Sequence, residues 1–241
     1  MDFDFSPDQQ QLKDQARRFL AGQCDRTAVR AVLDGPQSFD ARLWQGLADQ
    51  GYLGAAIPEV YGGLGASHLE LCVVAEELGR AVAPVPFSSS IGLTAELLLI
   101  AGSEAQKKRW LPALASGKTV GTLALTERPG RTTAATIQAT VSKGLLNGTK
   151  LPVADGDIAH LGVVAARDSA GGVSLYLVDL TASGVTREVL PSIDPTRSQA
   201  RITFNGAEAE PLGAAGQGLA IVDAAFDRAA VLIAFEQVGG A

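Results

Sequence analysis

Apolar positions in the first half of the chain recur every three or four residues; from about residue 119 they alternate instead, so the periodicity changes from that of helices to that of strands. Leu12, Ala16, Phe19 and Leu20 mark the inner face of a first helix. Its start is written in Ser6-Pro7-Asp8-Gln9, where Ser6 caps, Pro7 loses no needed N–H, and Gln9 completes a capping box. The spacing predicts further helices over 40–50, 67–81, 90–101 and 103–115, the last capped by Ser103 and Gln106. The 67–81 segment is apolar on most faces, which predicts a central helix. Between these, Ile57-Pro58-Glu59-Val60-Tyr61-Gly62-Gly63-Leu64-Gly65 carries three glycines and a proline in nine residues, the composition of a shaped loop.

The alternating half predicts strands over 120–125, 136–141, 161–166, 174–178, 186–189 and 200–204. Asn147-Gly148, Gly171-Gly172 and Asn205-Gly206 read as turns between them. Helical spacing returns from 217, with Leu219, Val222, Ala225, Phe226, Ala229, Leu232 and Ile233 in one stripe. Helices, then strands, then a helix describe an α+β chain with segregated domains. The final stripe has no predicted partner downstream, and large apolar side chains are worth roughly 1.5–3 kcal/mol each when buried. It is therefore expected to be covered by the chain's own domains, by a second copy or by a partner subunit, with the partner subunit preferred.

Composition narrows the function. Hydrophobic residues at 46% against 19% charged allow a sizeable core and exclude disorder. A net charge of −6, with Lys107-Lys108-Arg109 as the longest basic run, argues against a nucleic-acid partner. Cys24 and Cys72 fall in helical segments and read as buried reduced thiols. His68 and His160 are far apart and away from both cysteines, so no metal site is expected. No apolar run of about 18 residues suggests a membrane span. The acidic start, Met1-Asp2-Phe3-Asp4-Phe5, lacks the apolar core of a signal peptide, so a soluble cytoplasmic protein is expected.

Four segments in order carry a family pattern: Trp44 through Gly65; Ala75-Glu76-Glu77-Leu78-Gly79-Arg80; Gly102 through Pro112, with Gly117; and Leu123-Ala124-Leu125-Thr126-Glu127. Together they resemble the acyl-CoA dehydrogenase family. The resemblance implies an N-terminal helical domain over 1–118 and a small antiparallel β-barrel domain over 119–214. Residues 215–241 then open an incomplete C-terminal helical bundle. It also implies FAD at the domain junction, an acyl-CoA substrate, and electrons passed to an electron-transfer flavoprotein. A glutamate base takes the substrate's α-proton while hydride passes to the flavin.

Carried over residue by residue, the pattern assigns Leu123, Leu125 and Thr126 to flavin packing and to donors at its polar edge. Thr132 stands for the serine that approaches the flavin phosphates and the pantetheine of the substrate, with Arg131 in place of the preceding glycine. On a second flavin strand, Lys150 keeps the pattern, and Val153 and Ala154 are its remaining cofactor contacts. There Pro152 replaces a tryptophan and Ala154 a hydroxyl residue, so the FAD site is weak or shared. On the last helix the position for the base falls at Ala229 and that of a substrate-binding arginine at Ala230; Asp227 keeps an acidic residue found near substrate. No residue qualifies as the catalytic base. Arg197 is open to three roles: pairing with an acidic group, lying near a flavin or CoA phosphate, or a surface salt bridge. The reading that follows is a subunit or portion of an FAD-dependent acyl-CoA dehydrogenase, not catalytic alone. Its partner would be a second acyl-CoA dehydrogenase-like subunit, as in the heterotetramers of bacterial steroid breakdown. The alternatives are a non-enzymatic scaffold of the same fold without flavin, and a piece of a longer enzyme.

Overall fold

The computed structural model describes residues 4–241, so Met1, Asp2 and Phe3 of the acidic start lie outside the described residues. The helical part comprises α1 (Pro7–Gln23), α2 (Arg26–Leu33), α3 (Ala41–Asp49), α4 (His68–Arg80), α5 (Glu96–Ala101) and α6 (Glu104–Ala115). Capping boxes open α1, α4 and α6, where Ser6, Ser67 and Ser103 each exchange hydrogen bonds with a residue three positions on. Every residue from 71 to 79 of α4 is buried, which makes it the central helix. Its carboxylates are tolerated because α1 supplies cations: Lys13 Nζ reaches both Glu76 oxygens at 2.7 Å, and Arg17 Nη2 meets Glu77 Oε1 at 2.8 Å.

Two helical features escaped the periodicity. The eight-residue α2, capped by Asp25, buries only Val32 and so leaves little apolar signal. The helix expected over 90–101 starts earlier, and its first part, Ser88–Ala95, is a π-helix leading into α5. There Thr94 Oγ1 donates to Ser89 O at 2.9 Å, a side chain engaging the carbonyl five residues back.

The strands are β1 (Gly121–Ala124), β2 (Thr140–Ser142), β3 (Leu145–Ala154), β4 (Leu161–Arg167), β5 (Val173–Asp179), β6 (Val185–Leu190), β7 (Gln199–Glu208) and β8 (Glu210–Leu212). They form one sheet in the order β6-β7-β3-β2-β4-β5-β8, with β1 beside β4. The β domain follows the helices as expected, but its sheet is open and mixed rather than a closed antiparallel barrel. The short strands β1 and β2 both lie parallel to β4, at residues 161–164 and at Arg167.

Two of the three Asn-Gly and Gly-Gly signals were misread as turns. The β2–β3 hairpin turns instead at Lys143-Gly144, both at positive φ (52° and 76°) as a two-residue primed turn requires. Asn147-Gly148 lies within β3 and Asn205-Gly206 within β7, and Asn147 pairs with Asn205 beside a bulge. Gly148 is needed for close approach, since a Cβ there would sit 2.6 Å from that of Ala139. Gly171-Gly172 does join β4 to β5. The strand expected over 136–141 starts only at Thr140, after a 3-10 turn at Ala134–Thr136.

The last helix, α7 (Gly218–Gly240), runs alongside α4 in the same direction, with His68 against Arg228 and Gly79 against Glu236. Of the three covers expected for the stripe, the chain's own helices supply much of it in place of the preferred partner subunit: Val222, Ala225, Ala229 and Leu232 are buried within the chain, while Phe226 and Ile233 stay 41% and 39% exposed. The two helices touch backbone to backbone. A Cβ on Gly79 would stand 1.9 Å from Glu236 O, and one on Gly239 1.8 Å from Glu76 O. Gly79→Ala is therefore expected to cost about 1–3 kcal/mol through forced separation of the helices, read as a lower midpoint in urea. An unchanged midpoint would contradict the close crossing.

Candidate functional site

Strand β1 is seated from below by the π-helix. Ser90 Oγ accepts from Gly121 N at 3.1 Å, and a Cβ on Gly121 would lie 2.5 Å from Thr94 Cγ2. Beyond Ala124 the chain leaves the sheet as Leu125-Thr126-Glu127, and neighbouring groups fix this loop at every step. Thr126 O accepts from Leu151 N at 2.9 Å, and Leu125 O accepts from Lys150 Nζ at 3.1 Å. The same ammonium meets Glu127 Oε1 at 2.7 Å. Glu127 in turn accepts from Gln138 N at 2.7 Å and Ala139 N at 3.0 Å.

Lys150 has a relative exposure of zero. Burial pushes its ammonium below the usual lysine range, against the opposing pull of Glu127. For Glu127 burial acts to raise the carboxyl, but hydrogen bonds from Lys150 and from the Ala139 and Gln138 amides outweigh it and hold it below the usual carboxylate range. Among the described residues no acceptor takes the N–H of Thr126 or of Glu127. The loop thus spends its carbonyls inside the chain and leaves two amide donors free.

The structure gathers most of the sequence-predicted cofactor residues around this loop. Leu123 and Leu125 are part-buried. Thr126 and Thr132 bring their hydroxyls to 3.4 Å. Ala154, at the end of β3, gives its carbonyl to Thr122 Oγ1 at 2.6 Å. Val153 faces the core with no exposure, so its side chain is not available to a ligand. Pro152 is exposed at a register break between Lys150 and Val153, where a missing N–H costs the ladder nothing. The 128–131 loop is exposed, and Gly130, at φ 103°, has open space around it. Asp227 is exposed on α7, and no hydrogen bond ties it to these residues.

Sequence reasoning named Lys150 only as part of a pattern and missed its pairing with Glu127. The signal was present: Lys150 lies four residues after the buried Leu146, on the inner parity of β3. A second network also went unpredicted. Buried Asp155 accepts from Ser89 Oγ at 2.5 Å, and Asp157 accepts from Ser198 Oγ at 2.6 Å and Ser38 Oγ at 2.5 Å. Burial raises the Asp155 carboxyl above the usual range, offset in part by Ser89. Beside it Arg197 donates to Ala83 O at 2.9 Å and Val85 O at 3.2 Å and pairs with Glu236 of α7. Of the roles open to Arg197, the structure selects pairing with an acid, Glu236. Helices, sheet and α7 are tied together at this one point.

Cys24 and Cys72 are free and buried, and burial pushes both thiols up to about 11, so neither is reactive near neutral pH. A cavity of about 410 Å³ between Arg109 and Trp110 of α6 and Leu177 to Asp179 of β5 is lined by none of the predicted site residues. Among the described residues no helix is long and apolar enough to cross a membrane.

Comparison with known proteins matches residues 6–118 to the family model "Acyl-CoA dehydrogenase, N-terminal domain". The helical part of the chain, residues 6–118, belongs to the acyl-CoA dehydrogenase family. It is 30% identical over 236 residues to the acyl-CoA dehydrogenase IpdE2 of Mycobacterium tuberculosis, covering 97% of this chain and 60% of that protein. Among solved structures it is similar to a chain of the Tcur3481-Tcur3483 steroid ACAD, a G363A variant. That match has 30% identity and a TM-score of 0.83, over 96% of this chain and 63% of the other. It is also similar to a chain of the ChsE4-ChsE5 complex from Mycobacterium tuberculosis, at 27% identity and a TM-score of 0.86, over 99% and 65%. The chain spans about three-fifths of the length of the curated relatives first matched. For an acyl-CoA dehydrogenase family member, the free amides of the 126–127 loop fit the polar edge of a flavin, and the part-buried Leu123 and Leu125 fit its ring. Pro152 and Ala154 leave the second wall without an aromatic or hydroxyl group.

Proposed function

We propose that this chain is a subunit or portion of an FAD-dependent acyl-CoA dehydrogenase, contributing one wall of the flavin site and no catalytic base. The reaction is α,β-dehydrogenation of an acyl-CoA thioester, with electrons leaving to an electron-transfer flavoprotein. One observation carries the reading: the Leu125-Thr126-Glu127 loop is pinned through its carbonyls while two amides remain free. Free donors held rigidly beside apolar side chains suit an isoalloxazine, which presents acceptors at one edge and apolar faces. FAD, when bound, supplies the hydride acceptor. Leu123 and Leu125 would pack against the ring, Thr126 would serve its edge, and Thr132 would face the phosphates and the substrate's pantetheine. Val153 contributes only backbone, and Asp227, midway along α7, would lie near the substrate.

A second acyl-CoA dehydrogenase-like chain would complete the weak wall and bring the base. Two relatives whose names pair two subunits support that assembly, and one described as a steroid ACAD supports a steroid-derived acyl-CoA as substrate class. The exposed Phe226 and Ile233 of α7 are the proposed seat of this partner. The working division is a helical domain over 1–118, a β domain over 119–214, and the first helix of a bundle from 215.

The test is flavin content. The chain alone should purify with little FAD, and co-expression with an acyl-CoA dehydrogenase-like chain from its gene neighbourhood should give a yellow, flavin-loaded complex. A complex that forms but takes up no FAD would remove the flavin reading and leave the scaffold alternative.

A further inference from the structure

Among the described residues Lys150 is the one cation buried in the core. A buried ammonium is costly unless hydrogen-bonded and paired. Here its two bonds go to one short loop, to Leu125 O and to Glu127 Oε1. The Leu125 carbonyl and the Thr126 N–H belong to the same peptide unit. A cation on the oxygen draws density from the nitrogen and strengthens its N–H as a donor, by roughly 10–30% in chains of hydrogen bonds. That N–H is one of the two left free. Glu127 secures the other end of the loop by holding the Gln138 and Ala139 amides. Loop position and donor strength are thus governed from beneath by one ion pair.

We infer that Lys150 and Glu127 are positioning residues of the flavin site: Lys150 fixes and polarises the Leu125–Thr126 peptide toward the flavin's polar edge, and Glu127 sets the opposing charge. This rests on the flavin reading above. Neither side chain needs to touch the cofactor. Electrons entering the flavin add negative charge, so a stronger donor at its edge favours the reduced form. Lys150 therefore raises the flavin potential and Glu127 lowers it.

The experiment uses the flavin-loaded complex with wild type, Lys150→Met and Glu127→Gln. Lys150→Met should weaken FAD binding about tenfold and weaken the reduced form by about a further tenfold, a potential lower by about 30 mV for a two-electron couple. Glu127→Gln keeps one of the two acceptor oxygens, removes the charge and should move the potential upward. A merely structural pair would shift both variants the same way. In parallel, hydrogen exchange without flavin should speed about tenfold or more at Gln138 and Ala139 in Lys150→Met, with β4 and β5 unaffected. If Lys150→Met fails to fold, the upward shift in Glu127→Gln still decides the sign. FAD bound equally, with unchanged potentials in the variants, would overturn the inference alone. A wild-type complex that binds no FAD would overturn the flavin reading and this inference with it.

Discussion

Assayed alone, the chain is expected to dehydrogenate acyl-CoA thioesters at least about a thousandfold more slowly than the ~10 s⁻¹ of a typical enzyme. Removing an α-proton needs a positioned base, and such groups contribute roughly 10²- to 10⁴-fold. Helix α7 offers none where the family resemblance places one. Ala229 is buried within the chain and Ala230 carries no functional group. Asp227 lies two residues away and is exposed, so it points to a different side of the helix from Ala229. Glu236 is committed to Arg197 and to Ser88 Oγ at 3.0 Å, and Glu96 to Arg228 at 2.8 Å. The measurement is turnover of an acyl-CoA panel with an artificial electron acceptor, with and without the second chain. Activity should appear only with the second chain. Phe226→Asp should abolish that rescue while leaving the chain folded, because Phe226 is already partly in water. Turnover near 10 s⁻¹ by the chain alone would defeat the proposal.

Much of the helical architecture is legible because its rules are local. Ser6, Ser67 and Ser103 each announce a helix three residues ahead of the group that completes the cap, and the structure has all three boxes. The β domain is less legible because its pairings are not local. Asn147-Gly148 and Asn205-Gly206 are the strongest short hairpin signals in the chain, yet they face each other across β3 and β7 at a bulge. Nothing within five residues of either pair distinguishes that use from a turn. The stripe on α7 shows the same limit. Its periodicity correctly predicts a helix, but whether it is covered depends on Gly79 and Gly239, which let α4 approach to backbone contact. The candidate flavin residues near β1 came from the family resemblance and not from any local pattern. The Lys150–Glu127 pair beneath them was not, because residues 23 apart meet only once the loop and β3 are folded.

That pair should also dominate the stability of the β domain. Removing one partner of a buried ion pair costs about 3–5 kcal/mol, because the survivor is left charged and unpaired. Lys150→Met is expected to lose that much in urea unfolding at neutral pH, and Lys150→Met with Glu127→Gln to recover most of it. The pH dependence separates this from simple loss of packing. In the wild type Glu127 is held below the usual carboxylate range, so its contribution is present above that range and is lost as pH falls through its folded value. Lys150 is also depressed, so the folded chain binds fewer protons than the unfolded chain just below the usual lysine range. Stability therefore rises with pH in both windows. In Lys150→Met the dependence at the acid end weakens: only the two amide bonds are left to oppose burial of the carboxyl, so its value rises from the wild-type folded one and protonating it costs the fold less. The gap between Lys150→Met and wild type should narrow steadily as pH drops through the carboxylate range. A gap that stays constant from neutral to acid pH would mean the loss is one of packing, and that Glu127 is not a stranded charge in the variant.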